Sequence, residues 1–208
     1  MTKFINSIFY TLIAILAIFV SLYAFMYYVY DFPYLQIKGN LPSETYWSTA
    51  FYTHVGSGGV ALGIGWIQFW KKFRLNNIRR HRLLGKIYVT SILVFASTSG
   101  QYLAWYASEG FGAQLGFACL SAVWFYSTLK AYLAIRKNDI ITHRQWMMRS
   151  YAITLAAVTL RIWFPLFEFG LEFPRKDAYV AVSWFCWIPN ILFVDWFLLN
   201  RKKPVDKT

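Results

Sequence analysis

Charge-free apolar runs alternate with short polar segments along this chain, and this pattern sets its predicted architecture. Four runs contain no Asp, Glu, Lys or Arg: residues 4–30, 45–70, 87–108 and 110–129. A helix needs about 20 apolar residues to cross a hydrocarbon core of about 30 Å, and each run reaches that length. The pattern therefore predicts membrane-spanning helices.

Two further apolar stretches carry ionisable residues within them. The stretch at about 145–165 contains Arg149 and Arg161, and the stretch at about 178–200 contains Asp195 near its end. In total we predict six spans, at about 4–30, 45–70, 84–108, 110–133, 145–165 and 178–200.

The composition agrees with a membrane protein. Hydrophobic residues make up 58% of the chain and charged residues only 14%, which is unlike a soluble domain. Because the connections are also short, we expect one polytopic all-α membrane domain, a bundle of six transmembrane helices over residues 1–208.

The basic residues give the predicted bundle an orientation. Lys3 precedes the first span, and residues 71–86, 130–149 and 201–208 hold seven, five and four basic residues of a chain whose net charge is +12. This positive-inside asymmetry predicts that both termini are cytoplasmic. We interpret residues 71–82 as a loop that contacts anionic lipid headgroups and not nucleic acid, so the expected partner is the lipid bilayer.

A glycine-rich segment at residues 53–66, THVGSGGVALGIGW, places five glycines in the second apolar run. On a helix that advances about 100° per residue, one face carries His54, Gly58, Ala61 and Gly65. Gly56, Gly59 and Gly63 form a second face, roughly opposite. Small residues let membrane helices approach closely, and this packing accounts for the second face.

The face beneath His54 leaves two interpretations open. With Gly58 and Gly65 as its floor, it can accept either a neighbouring helix or a flat ring such as a haem or a quinone. An ionisable side chain about two turns below the membrane surface is usually functional or paired. We therefore take His54, Gly58 and Gly65 as candidate cofactor-binding residues.

The charged residues in the last two spans need partners. Arg149 and Asp195 each lie about five residues from the cytoplasmic end of their span, and such charges are costly in hydrocarbon unless paired. We predict a salt bridge between them. The alternative is that Arg149 and Lys130 form a site for an anion, such as haem propionates or a substrate carboxylate.

Arg161 lies near the external end of the fifth span. One interpretation is that its long side chain extends outward to Glu168 or Glu172. The other is that Arg161 faces an anionic group beside His54, which makes it a further candidate for cofactor binding.

The remaining histidines, His81 and His143, stand at the same predicted cytoplasmic level. Haem iron is often held by imidazole, so the two are candidate axial ligands of a haem. The alternative is that both are simply histidines at the headgroup level, since both fall slightly outside the predicted hydrocarbon. With three histidines in the chain, at most one bis-histidine haem can be built.

Three separated motifs resemble a known family. The segments HRLLGKIYV (81–89), THRQWMMRSYAITLAAVTLRIWFP (142–165) and SWFCWIPN (183–190) are similar to the bacterial membrane proteins grouped as domain of unknown function 2306. The resemblance implies a multi-pass protein of the bacterial inner membrane, without an assigned activity. The matching positions are His54, His81, Gly85, His143, Arg144, Arg149, Tyr151, Arg161, Pro165 and Asn190. The beginning of the first motif also resembles helix starts in haem-binding cytochrome and ferric-reductase-like families.

Three functions are consistent with these features. The first is a redox-linked membrane protein that binds one b-type haem or a quinone. The second is a non-catalytic subunit, which associates with a membrane-protein partner or with further copies of itself. The third is a small-molecule transporter, because Pro189 and Asn190 can break the sixth span as transporters do at their binding sites. No metalloprotease, P-loop or nucleophile-elbow motif is present, so no catalytic residue is assigned.

Overall fold

The computed structural model of the protein describes residues 2–30 and 44–199, and all regular structure in these two ranges is helical, as predicted. The helices are α1 (Thr2–Met26), α2 (Glu44–Gly65), α3 (Lys71–Asn76), α4 (Ile78–Thr90), α5 (Ser97–Trp105), α6 (Phe111–Arg136), α7 (Ile140–Thr154), α8 (Ala156–Pro165), α9 (Arg175–Phe185) and α10 (Ile188–Phe193). A 3₁₀ turn covers Trp66–Phe69, and π-helical segments cover Ser91–Ala96, Leu166–Gly170 and Val194–Leu199.

Four continuous helical stretches are long and apolar enough to cross a bilayer. They are Ile78–Trp105, Phe111–Arg136, Ile140–Gly170 and Arg175–Leu199. They correspond to the last four predicted spans. Two of them begin five or six residues earlier than expected, because a helix continues into the headgroup region where basic side chains are solvated, whereas a charge-free run marks only the hydrocarbon.

The first two predicted spans have a different outcome. Within α1 the apolar stretch is Tyr10–Met26, which is shorter than the other four, and α2 is not among the stretches apolar enough to cross. The glycines and hydroxyl residues of α2 dilute its hydropathy. Six spans and cytoplasmic termini thus stay predictions. Residues 31–43, which connect the first two predicted spans, lie outside the described residues, and so does the basic tail at 201–208.

The chain forms two compact units, Met1–Ser108 and Glu109–Thr208, and the single domain expected over residues 1–208 stays a prediction. In the first unit, α2 packs against α1 and against the stretch Ile78–Trp105. The hydroxyl of Ser21 on α1 donates to the carbonyl of Gly59 at 2.8 Å. The core of this unit is fully or almost fully buried and includes Ala17, Ala61, Leu62, Tyr88 and Ile92.

In the second unit, α6 packs against α7 and α9. Polar side chains join α6 to α7: Trp124 Nε1 donates to Thr154 Oγ1 at 3.0 Å, and the hydroxyls of Thr128 and Ser150 lie 2.7 Å apart. Such bonds between spans suit a bilayer, where lipid gives helices little hydrophobic reason to associate. The apolar core of the unit is formed by Ala156, Phe167, Ala178, Val182, Cys186 and Trp187.

Both of the last two membrane-crossing stretches are interrupted near their middle. Leu155, between α7 and α8, is a turn residue with φ −68° and ψ −6°, at the edge of the right-handed helical region. Trp187, between α9 and α10, leaves the helical conformation, with φ −129° and ψ −36°. The predicted break beside Pro189 is therefore present, and a second interruption lies on the preceding stretch.

Candidate functional site

The imidazole of His54 is held by the neighbouring helical stretch. Its Nδ1 lies 2.7 Å from the carbonyl oxygen of Ala96. Because a carbonyl oxygen can only accept, Nδ1 is the donor and carries the proton. In the neutral ring Nε2 then carries the lone pair, which is the form in which imidazole binds a metal.

The acceptor, Ala96, closes a π-helical segment that begins at Ser91. A π-helical turn replaces the regular backbone hydrogen bonds between residues four apart with bonds between residues five apart, and such turns are frequent at functional sites. Side chains supply donors to the displaced carbonyls: Ser97 Oγ donates to Ile92 at 2.6 Å, and His54 donates to Ala96 at 2.7 Å. No sequence signal marks this acceptor, since every residue has a main-chain carbonyl.

His143 repeats the same arrangement in the second unit. It lies in the first turn of α7, where the carboxylate of Asp139 accepts from the backbone N–H of Thr142 at 3.0 Å. Its Nδ1 donates to the carbonyl of Ala131 on α6 at 2.8 Å. By the same reasoning, the neutral ring carries its lone pair on Nε2.

His81 lies on α4 and is half-buried. It belongs to the first unit and His143 belongs to the second, so their pairing as axial ligands stays a prediction. Over residues 2–30 and 44–199, no group of three or more His, Cys, Asp or Glu side chains is arranged to hold a metal ion.

Arg149 makes the predicted salt bridge. Its Nε lies 2.8 Å from Oδ1 of Asp195, and its guanidinium lies 4.6 Å from the ring centre of Trp146. Lys130, the other member of the alternative anion site, has its ammonium 5.4 Å from the ring centre of Tyr126. The charge of Arg149 is therefore already balanced within the unit, and its role in cofactor binding stays a prediction.

Arg161 is exposed, and its guanidinium turns back along its own helix. Nη1 donates to the carbonyl of Ala157 at 2.6 Å. Glu168, which we expected as a partner of Arg161, accepts from Arg175 at 2.8 Å. Arg175 is the nearer cation because the chain reverses between α8 and α9. A role of Arg161 beside a cofactor stays a prediction.

The glycine face of α2 that was assigned to packing does pack on α1. A Cβ atom at Gly59 would lie 3.1 Å from Cβ of Ala24, and one at Gly63 would lie 2.6 Å from Oγ of Ser21. On the face beneath His54, Gly65 is buried and Gly58 is half-buried. Their part in binding a flat ring stays a prediction.

Asn190 links the two interruptions of the second unit. Its Nδ2 approaches the carbonyl of Ala152 at 3.1 Å, Oγ1 of Thr159 at 3.1 Å and the carbonyl of Cys186 at 3.0 Å. These acceptors lie beside the breaks, where regular helical bonding is lost. The amide group is thus used in joining the helices, and the transport function suggested by the broken span stays a prediction.

Gln68 is a polar residue of the first unit that we did not predict as functional. It lies in the 3₁₀ turn Trp66–Phe69 and is only 4% exposed. Neither Nε2 nor Oε1 of its amide has a hydrogen-bond partner in the part of the chain that the structure describes. The available sequence signal was an amide residue inside an otherwise apolar, charge-free run.

The comparison with protein families gives one match. The family model for DUF2306, described as a predicted membrane protein, matches residues 51–198. No curated protein and no solved structure matches this chain. The matched range covers well over half of the 208 residues and includes His54, Arg149 and Asp195.

Proposed function

This chain belongs to the DUF2306 family of predicted membrane proteins, and we propose that it binds one redox cofactor, a b-type haem or a quinone, in the bacterial inner membrane. The observation that carries the proposal is that His54 and His143 each donate Nδ1–H to a main-chain carbonyl. Metal-binding histidines in proteins almost always have their second ring nitrogen held in this way. A bound haem would supply one-electron transfer.

The two histidines fit this role because imidazole has a second ring nitrogen besides the one that donates to the carbonyl. A hydrogen bond to a carbonyl needs only an N–H or O–H group, and Ser97 already supplies one to Ile92 nearby. Imidazole provides in addition a second nitrogen, Nε2, whose direction is fixed by the bond at Nδ1. That second nitrogen can ligate haem iron or accept a hydrogen bond from a quinol hydroxyl.

Substitution by asparagine separates the two roles of each histidine. Nδ2 of Asn is bonded to Cγ, as Nδ1 of His is, so His54→Asn and His143→Asn can keep the donor to the carbonyl while they lose Nε2. His81→Asn is the matched third variant. The absorbance spectrum of each protein, purified in mild detergent with and without added haem, is the measurement.

We expect a Soret band in the wild-type protein and its loss in at least one asparagine variant whose thermal unfolding midpoint is unchanged. Absence of the band in wild-type protein, even after haem supplementation, would exclude the haem form of the proposal. A band that persists in all three variants would exclude histidine ligation.

We further propose six spans with both termini in the cytoplasm. The support is the basic segment 71–86, which includes the start of the stretch Ile78–Trp105, together with the basic residues around the connection between α6 and α7. Leu75 and Phe169 are 65% and 75% exposed and lie on opposite predicted sides. In cells, Leu75→Cys should be protected from an impermeant thiol reagent and Phe169→Cys should react; the reverse result would contradict the orientation.

A second candidate function is a non-catalytic subunit that associates with another membrane protein or with itself. The observation in its favour is that Arg149 and the glycine face of α2 are used in contacts within the chain. Unimpaired function in His54→Asn, His81→Asn and His143→Asn, with reproducible co-purification in a larger complex, would support this candidate against the first.

A further inference from the structure

The geometry points to a second polar site in the first unit, at Gln68, which binds a membrane-soluble carbonyl compound of the quinone class. Gln68 is 4% exposed, and both polar atoms of its amide lack hydrogen-bond partners among the described residues. Two residues earlier in the same 3₁₀ turn, the indole Nε1 of Trp66 is also buried without a partner in these ranges.

A buried amide without partners is unfavourable for folding. The cost of removing a polar group from water is recovered only when a hydrogen bond replaces the lost hydration. Leucine has nearly the same size as glutamine and would have no such cost at this position. The amide of Gln68 is therefore better explained by a bound molecule than by the stability of the fold.

The neighbouring glycine leaves space beside the amide. A Cβ atom at Gly85 on α4 would lie 4.0 Å from Oε1 of Gln68, with no other contact within that distance. By contrast, a Cβ at Gly59 would lie 3.1 Å from Ala24. Close helix packing thus requires glycine at position 59 but not at position 85, where the missing side chain opens space beside the amide.

The amide defines what the site can recognise. Nε2 donates to a carbonyl oxygen, and Oε1 accepts from a hydroxyl group, so Gln68 can bind both the oxidised and the reduced form of a quinone. Four residues separate His81 from Gly85, so these two residues share the face of α4 that meets Gln68. This inference rests on the proposed redox function, since it names the lipid-soluble electron carrier that such a protein would use.

Equilibrium binding of ubiquinone-1 to the full chain in lipid nanodiscs tests the site. We expect saturable binding to the wild-type protein and at least tenfold weaker binding to Gln68→Leu and to Gly85→Ala. Gln101→Leu, which removes a half-buried amide elsewhere in the same unit, is the matched control and should bind as the wild-type protein does.

The thermal unfolding midpoint distinguishes a binding role from a structural one. Gln68→Leu should unfold at the same temperature as the wild-type protein or higher, because the substitution removes an unsatisfied amide. A lower midpoint would show that the amide stabilises the fold, for example through ordered water, and would overturn the proposal. So would absence of saturable binding, or equal affinity in wild-type protein and Gln68→Leu.

The absorbance spectrum, read together with ubiquinone-1 binding, distinguishes failure of this inference from failure of the proposed function. A Soret band that persists in Gln68→Leu together with lost ubiquinone-1 binding supports both. If no Soret band is seen but ubiquinone-1 binding still depends on Gln68, the haem is excluded and the quinone site is supported. Haem binding without quinone binding would overturn the site alone.

Discussion

Nε of Arg149 lies 2.8 Å from Oδ1 of Asp195, and Trp146 covers the same guanidinium at 4.6 Å from its ring centre. The two charged residues come from different membrane-crossing stretches of the second unit. A lone charge in hydrocarbon is energetically costly, and the pairing of Arg149 with Asp195 lowers this cost for both residues. Loss of both partners should therefore cost less than the sum of the two single losses.

A double-mutant cycle tests this coupling. Arg149→Met and Asp195→Leu should each lower the free energy of unfolding by about 2 kcal/mol, between the values of exposed and buried ion pairs. The double variant should be more stable than the sum of the single effects predicts, by about 1–2 kcal/mol. Unfolding in detergent, followed by circular dichroism, gives the energies, and strictly additive effects would contradict the coupling.

Matched alanine substitutions test the glycine contacts. Gly59→Ala brings a methyl group to 3.1 Å from Ala24, whereas Gly85→Ala meets nothing closer than 4.0 Å. Both gain helix propensity, but only the first must push α1 away from α2. We expect Gly85→Ala to be more stable than Gly59→Ala by about 2 kcal/mol. Equal midpoints in thermal unfolding would show that α1 is not held by this contact.

The hydrogen bonds that Asn190 makes beside the two interruptions should be important for stability. Asn190→Leu removes the side-chain donor to the carbonyl of Ala152, at a cost of about 1–3 kcal/mol, whereas the carbonyl of Cys186 still accepts from Oγ1 of Thr159. Thermal unfolding should show a large loss of stability, and hydrogen exchange should increase near Leu155. Asn76→Leu, at the exposed last residue of α3, is the control and should show neither change.

Acid should weaken the start of α7 through Asp139. Hydrogen bonds from the hydroxyl and the backbone N–H of Thr142 hold the pKa of the Asp139 carboxyl below its ordinary value of 3.8. The lowered pKa means that the ionised carboxylate stabilises the folded state above pH 3.8, and this contribution is lost as the pH falls through the lower folded-state value.

Asp139→Asn should keep the helix cap without the titration, because asparagine also caps helices well. Thermal unfolding midpoints measured between pH 7 and pH 2 should then fall less steeply for Asp139→Asn than for the wild-type protein. Asp139→Ala, which lacks the cap, should unfold earlier already at neutral pH. Identical pH profiles of wild-type protein and Asp139→Asn would exclude this contribution.

The sequence predicted the parts of the fold that depend on local composition. Apolar stretches with no charge or very few charges identified the last four spans, and matching depth identified the pair of Arg149 and Asp195. Hydropathy alone did not support α2 as a span, because the glycines that pack on Ser21 and Ala24 also lower its apolar content. Close packing on α1 favours small residues in this helix, whereas a high hydropathy requires large apolar ones.

The parts that could not be predicted depend on groups distant in sequence. No proline or glycine marks the interruption at Leu155, whose neighbours are good helix formers. Its compensating donor, Asn190, lies 38 residues from the carbonyl of Ala152 that it binds. The acceptors of His54 and His143 are main-chain carbonyls, which every residue possesses. The missing partners of Gln68 become visible only when all its neighbours are in place.

The interruptions at Leu155 and Trp187 also bear on how the protein is made. With 15 residues in α7 and 11 in α9, neither leading half reaches the roughly 20 needed to cross the bilayer alone. The ribosome delivers Asn190 only after Ala152 has been synthesised, so the donor for that carbonyl arrives late. Stable insertion of the fifth span should therefore await the sixth, and a nascent chain that ends before Asn190 should leave its last helix poorly retained by the translocon.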